Sequence, residues 1–415
     1  MYKISIILIF LITINFVSAQ NQEVVDWLSE SAFSIENTNQ NNDITISFDS
    51  LSKRFKASKV YGFGEASHQH KEFMNLKVKF LKFLITQNNL KAIFIEESFG
   101  GAYAANQYIR NGIGEPNEIV KSFKQGYLKT SEILSLLKWL KNYNEKQQPN
   151  QKIEIYGMDC MFNYNISEIL LKLLNESNIQ IENETLTILE KYKVEKFEPY
   201  KIERIKNDIS AIDAIQNSIK TKSILKGKYD LLAGLEALKG YITFMNEPTQ
   251  NIRDQMMSQI ILSILNDRVA FISAHNYHIQ KGMLPRTSIP SLGNLLAKKL
   301  GDGYYSMGFD FGLGKVKGYT KDKKWKEGEL ISVNKKTFAK TFYDVSKQNY
   351  YFDFQLATSN EDMNDFLTKK GYYIGIGGYG ILVDQIKYSL IKSRLSDLYD
   401  GLIFVKNVTL SLPIK

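Results

Sequence analysis

The chain of 415 residues contains a single cysteine, Cys160. One thiol cannot close an internal disulfide, so the fold must be held together by its hydrophobic core. Cys160 follows an apolar run and no histidine neighbours it in the sequence, which favours a buried core residue over a nucleophile. Disulfide-stabilised small folds are therefore excluded.

Hydrophobic runs long enough to cross a bilayer are also lacking beyond the N-terminus. The first segment has a basic Lys3, an apolar stretch from Ile4, and the small residue Ala19 with Val17 two positions earlier. This pattern is typical of a secretory signal, and we predict a signal peptide at residues 1–19 and an exported mature domain at 20–415. The destination would be the periplasm or the extracellular space. The alternative is an uncleaved membrane anchor.

The net charge of +9 is not concentrated in any one segment. The sequence lacks zinc-finger spacing, a ribonucleoprotein aromatic motif and a long basic run, which disfavours nucleic-acid binding. The spread of lysines indicates a solvated basic surface. Such a surface could still favour anionic substrates or an anionic cell envelope.

Short β-branched and aromatic runs recur along the chain, with long helical stretches between them. This alternation is what the crossovers of a parallel sheet require. We predict an α/β fold with a central, largely parallel sheet flanked by helices, and an amphipathic helix at Glu72–Leu84. The predicted strands are Lys59–Phe63, Lys91–Ile95, Lys152–Tyr156, Arg268–Ser273, Tyr304–Phe309, Tyr372–Ile376 and Leu402–Val405.

Residues 166–265 form a long insertion with helical periodicity. We expect it to be a helical subdomain or cap over the cleft; the alternative is ordinary crossover helices without substrate contact. The Lys- and Gly-rich segment Lys317–Gly328 is predicted to be loop, with strand-like pieces at Tyr350–Phe354. No internal repeat or low-complexity linker divides the chain, so we expect one continuous domain.

All four histidines fall in two short clusters, each directly after a predicted strand. Loops after parallel strands converge at one edge of the sheet, so we expect a shared site there. Polar, ionisable residues also follow the neighbouring strands. The predicted site residues, in strand order, are Glu65, Ser67, His68, His70, Glu96, Glu97, Ser98, Asp159, His275, Asn276, His278 and Asp310.

Two chemistries suit these side chains. A histidine paired with a carboxylate can remove a proton from water, and the resulting hydroxide can attack an ester. Alternatively, the histidines and carboxylates can bind a divalent metal, or a haem, with or without hydrolysis. Neither histidine spacing matches the metalloprotease motif, and Ser67 lacks the glycines of a nucleophile elbow. We expect no cofactor, with the metal site as the alternative.

The motifs, taken in order, resemble those of the erythromycin esterase family over about residues 25–410. The resemblance rests on segments Gly64–His68, Lys71–Phe73, Phe94–Glu96, Tyr156–Asp159, Arg253–Met257, Ala274–Ile279 and Asn294–Phe309. It implies a hydrolase in which water opens a lactone or cleaves a bulky ester without an acyl-enzyme. The family includes macrolide esterases that confer antibiotic resistance in the cytoplasm, which differs from the export predicted here.

The resemblance also implies roles for individual residues. His68 would be the general base, with Glu65 as its carboxylate neighbour. Glu96, His275 and His278 would complete the catalytic set, and Lys77, His70, Asp159 and Asn276 are the predicted substrate-binding residues. Lys77 stands where macrolide esterases have an arginine, and an ammonium cannot reproduce the planar two-pronged contact of a guanidinium. A small ester or lactone is the expected partner. A non-catalytic cleft that binds a saccharide or lipid is a further alternative.

Overall fold

The computed structural model describes residues 22–193, 202–222, 225, 227–322, 324–331, 333–378 and 380–414. The predicted signal peptide lies outside these residues. The strands are β1 Phe33–Ser34, β2 Val60–Phe63, β3 Ala92–Ser98, β4 Glu154–Asp159, β5 Ala270–Ser273, β6 Tyr304–Tyr319, β7 Trp325–Ile331, β8 Asn349–Asp353, β9 Gly371–Ile374, β10 Leu390–Ser393 and β11 Gly401–Val408.

Helices connect and flank these strands, as the alternating sequence pattern predicts. They are α1 at 22–31, α2 Lys53–Ala57, α3 Lys71–Gln87, α4 Phe99–Asn111, α5 Pro116–Ser122, α6 Ser131–Asn144, α7 Ile166–Glu176, α8 Asn183–Lys191, α9 Ile202–Thr221, α10 Lys228–Asn246, α11 Gln250–Leu265, α12 Asn276–Ile279, α13 Leu292–Leu300, α14 Phe338–Asp344, α15 Phe354–Ala357, α16 Glu361–Thr368 and α17 Leu395–Leu398. No helix in the described ranges is both long and apolar enough to cross a membrane.

Nine of the described strands form one sheet, in the order β1-β8-β11-β6-β2-β5-β3-β4, with β7 paired to β6. The pairs from β11 to β4 are all parallel, while β1, β7 and β8 pair antiparallel. The predicted mixed α/β architecture with a largely parallel central sheet is confirmed. Parallel pairing places the carboxyl ends of β2, β3, β4 and β5 side by side.

Successive residues of the central strands point to opposite faces of the sheet, and each face has its own core. On β2, Val60 packs into one hydrophobic cluster and Tyr61 and Phe63 into the other. Strand β5 divides the same way, with Ile272 on the first face and Phe271 on the second. A sheet buried on both faces explains why these strands are continuous apolar runs in the sequence.

The helical insertion forms helices α7 to α11, as its periodicity predicts. Helix α10 packs against α7, α9 and α11, and α10 and α11 both contact β4. The insertion is thus a helical layer joined to one face of the sheet. The first turn of α11 reaches the carboxyl end of β4, which places two of its side chains in the site described below.

One prediction of local structure is wrong, and another is correct for the strand but not for the sheet that it joins. The expected loop at Lys317–Gly328 is mostly strand, because β6 continues to Tyr319 and β7 begins at Trp325. Gly318 in this segment allows close packing, since a Cβ there would lie 2.7 Å from the carbonyl carbon of Ile381. The strand predicted at Tyr372–Ile376 exists as β9, but it pairs with β10 in a separate two-stranded sheet.

Candidate active site

The loop after β2 brings the first histidine cluster to the carboxyl end of the sheet. It begins at Gly64, where a Cβ would lie 2.0 Å from the Asn276 Oδ1 atom, so only glycine fits. The Asn276 amide donates to the Phe309 carbonyl at 2.7 Å and accepts from the Phe309 N–H at 3.1 Å. Asn276 therefore fastens the loop after β5 to β6, with the β2 loop packed against it.

Glu65 is buried between a histidine and a lysine. One carboxylate oxygen contacts His68 Nδ1, and the other accepts from the Lys77 ammonium at 2.6 Å. Burial alone would raise the pKa of Glu65, but Lys77 and His68 outweigh it and lower the pKa to about 2. Glu65 is therefore ionised at neutral pH and fixes the proton of His68 on Nδ1. In the neutral imidazole, this tautomer carries no proton on Nε2.

Lys77 lies behind Glu65, deep in the fold. Its side chain is 2% exposed. The ammonium donates to Glu65 and also to the Ser273 hydroxyl and the Ala274 carbonyl, both at 3.2 Å. These three acceptors match the three N–H bonds of an ammonium. Lys77 thus holds the carboxylate in place and does not line the cleft.

His68 opens onto a cleft of about 380 Å³. Its imidazole stacks on the Tyr127 ring at a centroid distance of 3.9 Å and an interplanar angle of 13°. The Tyr127 hydroxyl donates to the Glu96 backbone carbonyl at 3.2 Å. The ring plane of His68 is therefore fixed from one side by stacking and from its Nδ1 edge by Glu65. The cleft is lined by His68, Gln69, Gln125, Gly126, Tyr127, Thr130, Lys317, Gly378, Ser411 and Pro413.

A second, buried cluster lies at the ends of β3 and β4. The Arg253 guanidinium donates to Asp159 at 3.1 and 2.8 Å and to Glu96 at 2.7 Å. Burial would lower the pKa of Arg253, but the two carboxylates raise it well above its ordinary value. Burial would likewise raise the pKa of Glu96, but His278 and Arg253 hold it well below its usual range. Arg253 and Glu96 are therefore charged together.

His278 extends this cluster toward α11. Its Nδ1 lies 2.8 Å from Asp254 Oδ1, and its Nε2 lies 3.4 Å from Glu96 Oε1. Burial would lower the pKa of His278, but Asp254 and Glu96 outweigh it and raise the pKa to about 10. Arg253 Nη1 also lies 3.1 Å from His278 Nε2. The repulsion between these two cations is offset by the negative charge of Glu96, which contacts both groups.

His275 lies between the two clusters and has the opposite charge state. Burial, and then the neighbouring His68, lower the pKa of His275 to about 3, so the ring is neutral. Its Nδ1 accepts from the Tyr277 N–H at 3.1 Å, which leaves the proton on Nε2. That Nε2 is buried and has no partner among the described residues. The ring centroid lies 4.9 Å from that of His68. An unpaired N–H here can stabilise a developing oxyanion.

The erythromycin esterase family model matches residues 85–408, more than three quarters of the chain. This protein belongs to the erythromycin esterase family. The match includes His275, His278 and Arg253, and Glu65 and His68 precede it. The structure places these two residues against the matched part, since His68 stacks on Tyr127 and neighbours His275.

Solved structures of other proteins share this fold. A Bacillus cereus protein aligns with a TM-score of 0.78 at 20% identity, covering 95% of this chain and 99% of its own. A succinoglycan biosynthesis protein aligns with a TM-score of 0.76 at 18% identity, with the same coverage. A mutant of erythromycin esterase EreC in its open conformation aligns with a TM-score of 0.56 at 15% identity, covering 87% and 93%. No curated protein sequence matches the chain.

The structure brings most of the predicted site residues together. Glu65, His68, Glu96, His275, His278 and Asp159 all lie within the two adjoining clusters. Three residues predicted to bind substrate do not line the cleft; they are Lys77, Asn276 and His70. Lys77 is behind Glu65, and Asn276 is occupied with Phe309. His70 is 3% exposed and faces away, with its Nε2 at 2.9 Å from the Lys315 carbonyl and its ring against Phe73.

Four further predicted residues support the site without entering it. Ser67 accepts from the Gln69 N–H, and Ser98 bonds to Glu97. Glu97 in turn accepts from the N–H groups of Lys124 and Gln125 at 2.8 and 2.9 Å, which fixes the segment that precedes Tyr127. Asp310 lies inside β6, beside a small cavity that also contains His275, and burial raises its pKa to about 7.

Sequence reasoning assigned no role to Arg253, Asp254 or Tyr127. Arg253 and Asp254 belong to a motif that carries the family resemblance, so a signal was present for them. Nothing in the sequence around Tyr127 indicates a contact with His68.

The carboxylates and histidines of the site are mostly engaged with one another. Across the described part of the chain, no group of three or more His, Cys, Asp or Glu side chains is arranged to hold a metal ion. Glu65 is bound by Lys77, and Glu96 and Asp159 are bound by Arg253. A metal would have to displace these cations. The divalent-metal alternative therefore remains a prediction with little geometric support.

Proposed function

We propose that this protein hydrolyses a carboxylic ester or lactone with water activated by His68. The observation that supports this most is the Glu65–His68 contact at the floor of an open cleft, with Glu65 held ionised by Lys77. A carboxylate on Nδ1 fixes the tautomer in which Nε2 can take a proton. Membership of the erythromycin esterase family is consistent with a hydrolase.

In the proposed reaction, His68 Nε2 takes a proton from water as the water oxygen bonds to the ester carbonyl carbon. Negative charge then develops on the former carbonyl oxygen. The proposed donor to that oxygen is the unpaired Nε2–H of neutral His275, whose ring centroid lies 4.9 Å from that of His68. The tetrahedral intermediate collapses with cleavage of the carbon–oxygen bond. The departing alkoxide takes the proton back from His68, so no acyl-enzyme forms.

The buried Arg253 cluster has a supporting part in this scheme. The backbone N–H of His275 donates to Glu96 Oε2 at 3.1 Å, while Arg253 donates to the other oxygen, Oε1. Fixed charges around Glu96 therefore position the backbone of His275 and hence its ring. A site pre-organised in this way loses no energy to reorientation when charge develops.

The cleft lining favours a substrate that is bulky and rich in hydroxyl groups. Gln125, Thr130 and Ser411 are neutral hydrogen-bonding side chains, and Tyr127 offers an aromatic wall. Such surfaces suit both a glycosylated lactone and an acylated saccharide, and one structural neighbour is described as a succinoglycan biosynthesis protein. We further propose that the protein is exported, on the strength of residues 1–19.

The test is mass spectrometry of erythromycin and a panel of acylated sugars and simple esters, incubated with the purified mature chain. We expect His68-dependent addition of one water to at least one compound, and the same rate with a chelator present. His68→Ala should be inactive. Turnover that disappears with chelator would favour the metal alternative, and turnover retained by His68→Ala would reject His68 as the base.

A further inference from the structure

The segment after β11, residues 409–414, crosses one side of the cleft mouth. At its start, the Thr409 carbonyl accepts from the Lys71 N–H at 3.1 Å, and the Thr409 N–H donates to Glu72 at 2.7 Å. Further along, the Ser411 N–H donates to the Gln69 carbonyl at 2.7 Å. The segment is thereby fastened along the loop that holds His68.

The far end of the same segment is fastened to the opposite side of the cleft. The Ile414 N–H donates to the Lys129 carbonyl at 2.9 Å, and Pro413 forms an antiparallel bridge with Thr130. Thr130 precedes α6 and lies close to Tyr127 in the sequence. The segment therefore runs from the loop that holds His68 to the loop that holds Tyr127, and both loops line the cleft.

Alternate side chains of this extended segment face different surroundings. Ser411 and Pro413 line the cleft beside His68 and Tyr127. Leu412, between them, is 74% exposed and is not among the lining residues. Successive residues of an extended chain point to opposite sides. The two-residue period places 411 and 413 on the cleft and 412 toward solvent.

We infer that Ser411 and Pro413 form a wall that limits the size of the group bound beside His68, and so determine which esters enter. This role rests on the proposed hydrolase function in that the cleft is taken as the substrate site. Glu65 is bound by His68 and Lys77, whereas the wall is fastened to Gln69 and Thr130. Its side chains can therefore change the accepted substrate without altering the base.

The neighbouring positions 411 and 412 offer a matched test in the full chain. Ser411→Trp adds an indole to the cleft, and Leu412→Trp adds the same group on the solvent side. Diethyl pyrocarbonate acylates accessible imidazoles, and the side chain of His68 is 11% exposed whereas His70 and His275 are each 3% exposed. The readout is the rate of carbethoxylation of His68, followed by peptide mass spectrometry. It needs no substrate.

Ser411→Trp should slow modification of His68 by about tenfold, as expected when a concave site is filled by an indole. Leu412→Trp should leave the rate within about twofold. Equal rates in the two variants would overturn the proposed wall. If Ser411→Trp does not fold, Pro413→Phe tests the same face, with circular dichroism and thermal unfolding as checks.

Turnover then separates the two proposals. Once an ester is found, Ser411→Trp should lower kcat/KM for a small acetate ester by about the same factor as it slows carbethoxylation, and for bulky esters by a clearly larger factor. An equal loss for both esters would mean that the residue acts on the base rather than on size. Absence of any turnover by the wild-type chain would reject the proposed function, while the carbethoxylation result would still decide whether the segment walls the cleft.

Discussion

The two halves of the site use the same residue types for different purposes. On the β2 side, Glu65 and His68 form a pair whose histidine opens onto the cleft. On the β3–β4 side, Glu96, Asp159, Arg253 and His278 are buried and neutralise one another. In the proposed reaction the proton is exchanged with substrate at His68, the histidine that lines the cleft. The buried half supplies fixed charges, which hold the backbone of His275 in one position through Glu96.

The sharpest way to break this comparison is to remove the open histidine. His68→Ala should lower turnover by about 10²- to 10⁴-fold, which is the usual contribution of a positioned general base. The variant also loses the stack on Tyr127 and the contact with Glu65, so we expect some loss of thermal stability with the fold retained. The measurement is kcat on the ester identified above, with calorimetry in parallel.

The matched control is His70→Ala, two residues along the chain. His70 is buried against Phe73 and faces Lys315, so its loss should reduce stability and leave kcat close to wild type. Loss of turnover in a folded His70→Ala protein would mean that His70 also takes part in the reaction.

The buried half should respond in stability. Arg253→Leu leaves Asp159 without its cation in a buried site, and leaves Glu96 with His278 alone. Breaking a buried ion pair from one side costs about 3–5 kcal/mol, so we expect a loss of that order in the free energy of unfolding. Urea denaturation would measure it.

An exposed arginine provides the contrast for that measurement. Arg394 pairs with Asp397 at the surface, with both side chains about half exposed. Arg394→Leu should cost no more than about 0.5 kcal/mol. Similar losses for the two arginines would show that the Arg253 cluster is solvated.

The pH dependence of stability should separate His275 from His278, although only two residues lie between them. The pKa of His278 is raised to about 10 in the fold, so its contribution is complete below its ordinary pKa of 6.5 and is lost as pH rises toward 10. The pKa of His275 is lowered to about 3, so its contribution is present above 6.5 and is lost as pH falls toward 3.

Unfolding curves of the wild type, His278→Gln and His275→Gln across this range would test both signs. The wild type should lose its advantage over His278→Gln between pH 6.5 and 10, and over His275→Gln between pH 6.5 and 3. A flat difference for His278 on the alkaline side would indicate that Arg253 donates to a neutral ring instead.

The sequence predicted the edge of the sheet at which the candidate site lies, because histidines and carboxylates follow consecutive apolar strands and parallel strands bring their ends together. Position within an element was harder to predict. Lys77 lies on α3 one turn from Phe73 and Phe80, on the apolar face, so its burial could have been predicted from helical spacing. Resemblance to an arginine position suggested a substrate contact instead.

Contacts between distant segments could not be predicted. His70 is two residues from His68, but it forms a bridge with Leu410, which turns it away from the cleft. Arg253 reaches Asp159 across 94 positions of sequence. Neither arrangement leaves a local pattern, because both depend on how the chain packs over long separations. The loop predicted at Lys317–Gly328 was wrong for a related reason. Gly318 indicated a loop, but it is required by close packing against Ile381, which lies far along the chain.

The smallest expected effect concerns Tyr127, which joins the open and buried halves. Its ring stacks on His68, and its hydroxyl donates to the Glu96 carbonyl. Tyr127→Leu removes both contacts and should raise the barrier by about 0.5–1.5 kcal/mol, the usual worth of an aromatic pair. Tyr127→Phe keeps the stack and should stay within about twofold of wild-type kcat, since one exchanged hydrogen bond contributes little. If Phe and Leu lower kcat equally, the hydroxyl matters more than the stack, and Tyr127 acts through Glu96. A kcat restored by Phe would instead assign its role to the orientation of His68.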